Sequence, residues 1–206
     1  MNIIEKLTGV FSRFPGIGPR QAKRFVFFLL TQNSKWLDEL INGISKLQES
    51  VTSCISCQMF FQKNDSNLCN ICSNLKRDKS LLMIVERDTD IEAIEKSNIY
   101  NGFYFILGNS INILEKKPGE VIRSNKLMSL INQKIKDGLQ EIILSLSLKP
   151  DSENTEMFLR EKLSVYQNKY NIKISKLGRG LSTGMELEYS DSETLKSALD
   201  NRKTML

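Results

Sequence analysis

Four cysteines constrain this chain more than any other feature. They stand at Cys54, Cys57, Cys69 and Cys72, two C-x2-C pairs separated by the eleven residues Gln58 to Leu68, and no cysteine lies elsewhere. Such pairs fold into knuckles, each setting two sulfurs on one side of a tight turn, and together they can close a tetrahedral thiolate site for zinc. The spacer carries Lys63-Asn64-Asp65-Ser66-Asn67, a polar turn between two short arms. A segment of about twenty residues cannot bury enough apolar surface to fold alone, and a bound ion would supply the missing folding energy. Two alternatives stay open at this point. One is a pair of disulfides, which the lack of a secretion signal argues against. The other is an iron–sulfur cluster, which usually takes a different cysteine spacing.

The 206 residues include no histidine. That excludes Ser-His-Asp and Cys-His nucleophile pairs and any imidazole base or metal ligand. Hydrophobic residues make up 40% and charged residues 26%, a globular composition. No apolar run approaches the roughly 18 residues of a membrane span, and the N-terminus lacks a signal-peptide layout. The expectation is a soluble cytoplasmic protein with no membrane partner. The net charge of +5 suits an anionic partner such as nucleic acid, so the placement of the charge matters more than its total.

Ahead of the cysteines the apolar spacing predicts three short helices whose faces pack together: Ile3 to Phe14, Ala22 to Leu30 and Trp36 to Leu47. The first junction reads Phe14-Pro15-Gly16-Ile17-Gly18-Pro19-Arg20. Gly16 and Gly18 permit positive φ and close backbone approach, and Pro19 suits the first helical position. The hairpin would expose backbone N–H groups to a phosphate. Arg20, Lys23 and Arg24 follow on one helix face. This looks like a helix-hairpin-helix, a motif that grips nucleic-acid backbones without reading sequence. A plain helical turn with a solvated basic face is the alternative.

After the cysteines the pattern alternates. Strands are expected at Leu81–Val85, Phe103–Leu107, Ile142–Leu144 and Ile172–Ile174. Helical spacing marks Ile91, Ile94 and Ile99, then Leu127, Met128, Ile131 and Ile135, then Leu159, Leu163 and Tyr166. Alternation of this kind predicts a parallel sheet with covering helices. Working residues of such sheets sit beyond the carboxyl ends of strands. Glu86 follows the first strand, with Asp88 and Asp90 next, and carboxylates there can hold Mg²⁺. Asp88 or Thr89 can instead cap the next helix, with Asp90 favouring its dipole. The glycine-rich Gly178 to Gly184 lacks the order of a phosphate-binding loop, and Met185 to Tyr189 alternates like a short strand.

The order Pro15-Gly16-Ile17-Gly18-Pro19, four cysteines, Ile84-Val85-Glu86, Leu107-Gly108 and Gly184-Met185-Glu186-Leu187-Glu188-Tyr189 resembles the RecR family of bacterial recombination mediators along nearly the whole chain. The resemblance implies a multi-domain α/β protein. A helix-hairpin-helix DNA-binding and dimerisation region would span 1–53, a four-cysteine zinc finger 54–77, a Toprim domain 78–175 and a short Walker B-like segment 176–206. It implies a non-catalytic, DNA-binding role in recombinational and gap repair, helping to load the recombinase onto single-stranded DNA with RecO and RecF. The DNA is gapped, single- or double-stranded, and not read by sequence. The family implies a homo-oligomer, a dimer or a ring-shaped tetramer.

Carried over residue by residue, Arg20 and Arg24 fall on the family's basic hairpin positions. Cys54, Cys57, Cys69 and Cys72 fall on its zinc ligands, one structural zinc per chain. Glu86 falls on the first Toprim acid and Asp90 on a second family acid, contacts for a partner or Mg²⁺. The chain departs from the family at Ser147-Leu148-Lys149-Pro150-Asp151-Ser152-Glu153, where an Asn and a small Gly are lost, which weakens a metal site there. It also departs at Ser110-Ile111-Asn112-Ile113, where a Pro-Leu-Asp-Gly turn is missing. The competing function is a Mg²⁺-dependent Toprim nuclease or a strand-passing enzyme, which needs acids gathered on one metal. A zinc-stabilised scaffold that touches only protein is a third.

Overall fold

A computed structural model describes residues 2–178, 180–181, 184 and 186–202. The chain divides into two compact units, Met1–Thr52 and Ser53–Leu206. No helix among the described residues is long and apolar enough to cross a membrane.

The first unit is helical. Helix α1 (Ile3–Phe11) starts on a reciprocal cap: Asn2 Oδ1 accepts from Glu5 N at 2.9 Å while Glu5 Oε2 accepts from Asn2 N at 3.0 Å. Helix α2 (Pro19–Leu30) begins with Pro19 at its first position and buries Ala22 and Val26. Phe11 meets Phe25 edge-on at 6.0 Å, closing a helical hairpin. Helix α3 (Ser34–Ser50) does not join this packing as its periodicity predicts. No residue of α3 is buried, and Leu40, Ile41, Ile44 and Leu47 stay exposed along one stripe. Its one ring contact with the hairpin is Trp36 against Phe28 at 5.7 Å.

The second unit is a four-stranded sheet with two covers. Strand β1 (Val51–Ser53) leads into the cysteines, and β2 (Phe60–Gln62) lies between the knuckles. The sheet strands are β3 (Leu81–Val85), β4 (Phe103–Ile106), β5 (Glu141–Ser145) and β6 (Lys173–Lys176), in the order β4-β3-β5-β6, all parallel. The intervening helices are α4 (Asp88–Ser97), α5 (Pro118–Val121), α6 (Ser124–Lys136) and α7 (Pro150–Tyr170).

The strand period of two sorts the side chains. Leu82, Ile84, Phe103, Phe105, Ile142 and Leu144 pack with Leu127, Ile131, Leu159 and Leu163 of α6 and α7. Met83, Val85, Tyr104 and Ile106 face the other way, against Ile91 of α4 and the buried Cys54, Cys57 and Cys69. The cysteine segment is thus one of the two covers of the sheet, and its thiols belong to a hydrophobic core.

Three expectations shift. Helix α4 stops at Ser97 because Asn98 turns left-handed (φ 53°), which leaves Ile99 outside the helix and exposed. Of the hairpin glycines only Gly16 uses positive φ (77°), whereas Gly18 is the extended N-cap of α2. Leu187–Tyr189 forms a single 3₁₀ turn rather than a strand and precedes α8 (Ser192–Asp200). Met185, and Arg179, Ser182 and Thr183 of the glycine-rich stretch, lie outside the described residues.

Candidate functional site

The cysteine cage is assembled by backbone hydrogen bonds. In the first knuckle Gln58 N donates to Cys54 O at 3.0 Å and Cys54 N donates to Met59 O at 2.8 Å. Gln58 is left-handed (φ 67°) and only 4% exposed. Its Nε2 locks the turn by donating to Cys54 O at 3.1 Å and to Ile55 O at 3.2 Å. Ile55 N reaches Asn67 O at 3.2 Å, which ties the first knuckle to the second.

All four sulfurs lie within 4.8 Å of one another. The thiols are free, and Cys57 Sγ and Cys69 Sγ stand 3.5 Å apart, so the paired-disulfide alternative does not hold. A tetrahedral ion with metal–sulfur bonds of about 2.3 Å sets its ligands about 3.8 Å apart, and this cage fits that spacing. Cys69 N donates to Cys54 Sγ, and Cys72 N to Cys69 Sγ, each at 3.5 Å. Such bonds favour thiolates, the form that binds metal. Hydrogen bonds among the four sulfurs hold Cys54 well below the ordinary thiol range and push Cys57 and Cys72 above it, so one proton-sharing cluster lies ready for its protons to be displaced by an ion. The Cys54, Cys57, Cys69 and Cys72 set is therefore able to hold a metal ion.

The acids at the end of β3 do not gather in the same way. Glu86 is 5% exposed. Its Oε2 accepts from Ser147 Oγ at 2.9 Å, and Oε1 is buried without a partner among the described residues. Ser147 Oγ in turn lies 2.7 Å from Ser152 Oγ. Asp90 turns back to accept from Arg87 N at 2.8 Å and so caps α4. Asp88 accepts from Phe60 N at 2.7 Å, a tie to β2. Among the described residues, the cysteines are the one group of three or more such side chains close enough to share an ion.

Arg20, Lys23 and Arg24 are all exposed on α2 and form no ion pair among the described residues. Arg24 Nη1 reaches Gln21 Oε1 at 3.4 Å, and Lys23 Nζ lies 6.0 Å from the Phe27 ring. A Cβ built on Gly16 or Gly18 meets nothing within 4 Å, so the backbone of the hairpin is open to close approach.

Sequence reasoning missed the groups that hold these residues in place. Ser147 opens the stretch that departs from the family, but its bond to Glu86, 61 residues away, has no local signature. Arg123 lies over Gly108, whose φ is 85°, and a Cβ there would come within 3.0 Å of its guanidinium carbon. The same guanidinium donates to Ile106 O at 3.2 Å.

A family model described as RecR, C-terminal, matches residues 180–203. Over nearly its whole length the chain is similar to proteins named Recombination protein RecR. That of Bacteroides fragilis is 34% identical over 203 residues, covering 98% of this chain and 94% of that protein. That of Dehalococcoides mccartyi is 34% identical over 201 residues, covering 97% and 93%. That of Legionella pneumophila, strain Corby, is 34% identical over 202 residues, covering 98% of both. At this identity and coverage, the chain belongs to the RecR family.

Proposed function

We propose that this chain is a non-catalytic, DNA-binding mediator of recombinational repair that helps load the recombinase onto single-stranded DNA at gaps, with RecO and RecF as partners. The observation that carries this reading is the trio Arg20, Lys23 and Arg24, exposed and without an ion pair among the described residues, beside the open Gly16–Gly18 backbone. Unpaired cations and free hairpin amides neutralise phosphates and release counterions without reading bases. Pro19 at the start of α2 and left-handed Gly16 support a helix-hairpin-helix within 1–53. The four-stranded parallel sheet supports a Toprim domain over 78–175, flanked by a zinc finger over 54–77 and a Walker B-like segment over 176–206.

One zinc per chain, held by Cys54, Cys57, Cys69 and Cys72, supplies folding energy to a segment too short to stand alone. The exposed apolar stripe of α3 supports a homo-oligomer, in which weak DNA contacts multiply through effective concentration. Glu86 is kept as a partner contact at the sheet end. The alternative, a Mg²⁺-dependent Toprim nuclease or strand-passing enzyme, draws support only from its unpaired oxygen.

The test measures binding to labelled gapped DNA across a salt series, with Mg²⁺ present, for the unmodified chain and for Arg20→Ala with Arg24→Ala. Losing two phosphate contacts flattens the log–log salt slope by about 2 and weakens binding alike for all sequences. An unchanged slope removes the hairpin from the contact surface. DNA cleaved by the unmodified chain but not by Glu86→Ala overturns the non-catalytic reading.

A further inference from the structure

One charged group sits where the packing calls for an apolar one. Helix α6 turns Leu127, Leu130, Ile131 and Lys134 inward, and Lys134 is only 9% exposed. Its Nζ lies 3.3 Å from the centroid of the Phe103 ring, in the attractive geometry of an ammonium over an aromatic face. It forms no ion pair among the described residues. A buried ammonium without a counter-charge is costly, and burial pushes the Lys134 pKa below the ordinary lysine range.

Lys134 stands beside the cysteine cage: Cys72 packs against the same core as Leu127, Leu130 and Ile131 of α6. Cys72, Asp137 and Cys57 favour its charged form, and Lys79 opposes it. Lys134, Cys72, Phe103, Lys79, Lys126 and Asp137 share the wall of one cavity of about 750 Å³. Lys126 is already engaged, its Nζ 2.7 Å from Oε1 of the knuckle residue Gln58. Three lysines therefore face a single aspartate in this cavity. A four-thiolate site holding a divalent ion would carry a net charge of two minus, and Cys72 brings that site to the wall of this cavity.

We propose that Lys134 is the counter-cation of the four-cysteine metal centre, a positioning residue that sets how tightly the thiolate cage holds its ion. The inference rests on the metal centre proposed above. Charged groups around a thiolate cage act on metal affinity through the same low dielectric that makes them costly alone.

The experiment measures Zn²⁺ affinity of the full chain by competition with a chromophoric chelator. It compares the unmodified chain with Lys134→Met, which keeps the buried stem, and Lys134→Arg, which keeps the charge. Co²⁺ spectra report whether each cage remains tetrahedral. Lys134→Met is expected to bind Zn²⁺ about 10- to 100-fold more weakly, and Lys134→Arg within about threefold of the unmodified chain, with tetrahedral Co²⁺ spectra throughout. Equal affinity of Lys134→Met and the unmodified chain overturns the proposal. So does an equal loss in both variants, which would trace to packing rather than charge. An unmodified chain that binds no Zn²⁺ removes the metal centre itself.

Discussion

Glu95→Gln separates charge from shape at the joint that fastens the cysteine segment to the sheet. Arg77 Nη1 donates to Glu95 Oε1 at 3.0 Å and to Gly102 O at 2.9 Å, and its Nη2 pairs with Glu95 Oε2. Tyr104 OH donates to Glu95 Oε1 at 2.6 Å. The side chains of Arg77 and Glu95 are 9% and 30% exposed. A glutamine keeps one acceptor oxygen, so one Arg77 bond is lost and the others lose the carboxylate's charge. Hydrogen bonds to charged groups contribute about 1.5–3 kcal/mol each, and the partial exposure of Glu95 screens them, so the expected loss is about 2 kcal/mol at pH 7. Burial alone would raise the Glu95 carboxyl, but hydrogen bonds from Arg77 and Tyr104 outweigh it and hold the group below its usual range. The folded pKa being depressed, the stabilisation is complete above the unfolded value of about 4.3 and is lost as pH falls through the lower folded value. Urea unfolding is followed by near-UV circular dichroism in a Trp36→Phe background, where the tyrosine signal reads the second unit because all five tyrosines lie there. The two stability curves should run about 2 kcal/mol apart at neutral pH and converge below pH of about 4. A gap under about 0.5 kcal/mol, or one that stays constant as the pH falls, refutes the charged joint.

Ile41 and Ile44 are 60% and 62% exposed on α3, so Ile41→Asp with Ile44→Asp should shrink the proposed homo-oligomer in size-exclusion chromatography without loss of helical circular dichroism. An unchanged elution volume removes this stripe from the subunit contact. Glu86→Met removes a buried oxygen that has no partner. Chemical denaturation should find that variant as stable as the unmodified chain or up to about 2 kcal/mol more stable, and a loss above about 1 kcal/mol would mean that Glu86 is held there for the fold.

The residues that were legible are those whose chemistry is local. The cysteine pairs declare a cage through spacing alone, and the apolar runs at 81–85 and 103–106 declare strands of a covered parallel sheet. A run that is apolar at every position does not say which face meets which cover. The packing of Met83 and Val85 against the thiols is therefore a tertiary result. In α6 the sequence pattern Leu127, Met128, Ile131 and Ile135 is rotated from the stripe that is buried, which takes in Leu130 and Lys134. A lysine carries its apolar stem inward only when something inside accepts the charge, and hydropathy registers the charge alone. The turns were legible where proline and glycine fix them, as at Gly16 and Pro19. They were not where a non-glycine residue is forced left-handed by its neighbours, as at Gln58.

The sheet topology explains why Glu86 and Ser147 meet. Strand β3 passes its chain to β4 on one side, and the chain then returns to β5 on the other, so the crevice between β3 and β5 is the switch point where ligands of such sheets bind. Val85 pairs with Ser145 in register, which brings the residues just beyond each strand together. Metal-assisted phosphoryl transfer at that crevice needs carboxylates from both strand ends converging on the ion. Here Glu86 beyond β3 meets the Ser147 hydroxyl beyond β5, Asp90 is spent on the N-terminus of α4 and Asp88 on Phe60 N. Asp151 and Glu153 stand in the first turn of α7, and among the described residues they do not gather with Glu86 into a group close enough to share an ion. A single carboxylate bonded to Ser147 is a poor cage for Mg²⁺, which takes six oxygen ligands in tight octahedral geometry. It remains an acceptor of buried charge, and its unpaired Oε1 costs the fold stability that an apolar residue would not. That cost, borne at the switch point beside Ser147, makes Glu86 the position whose substitution separates a role in the fold from a role at a binding surface.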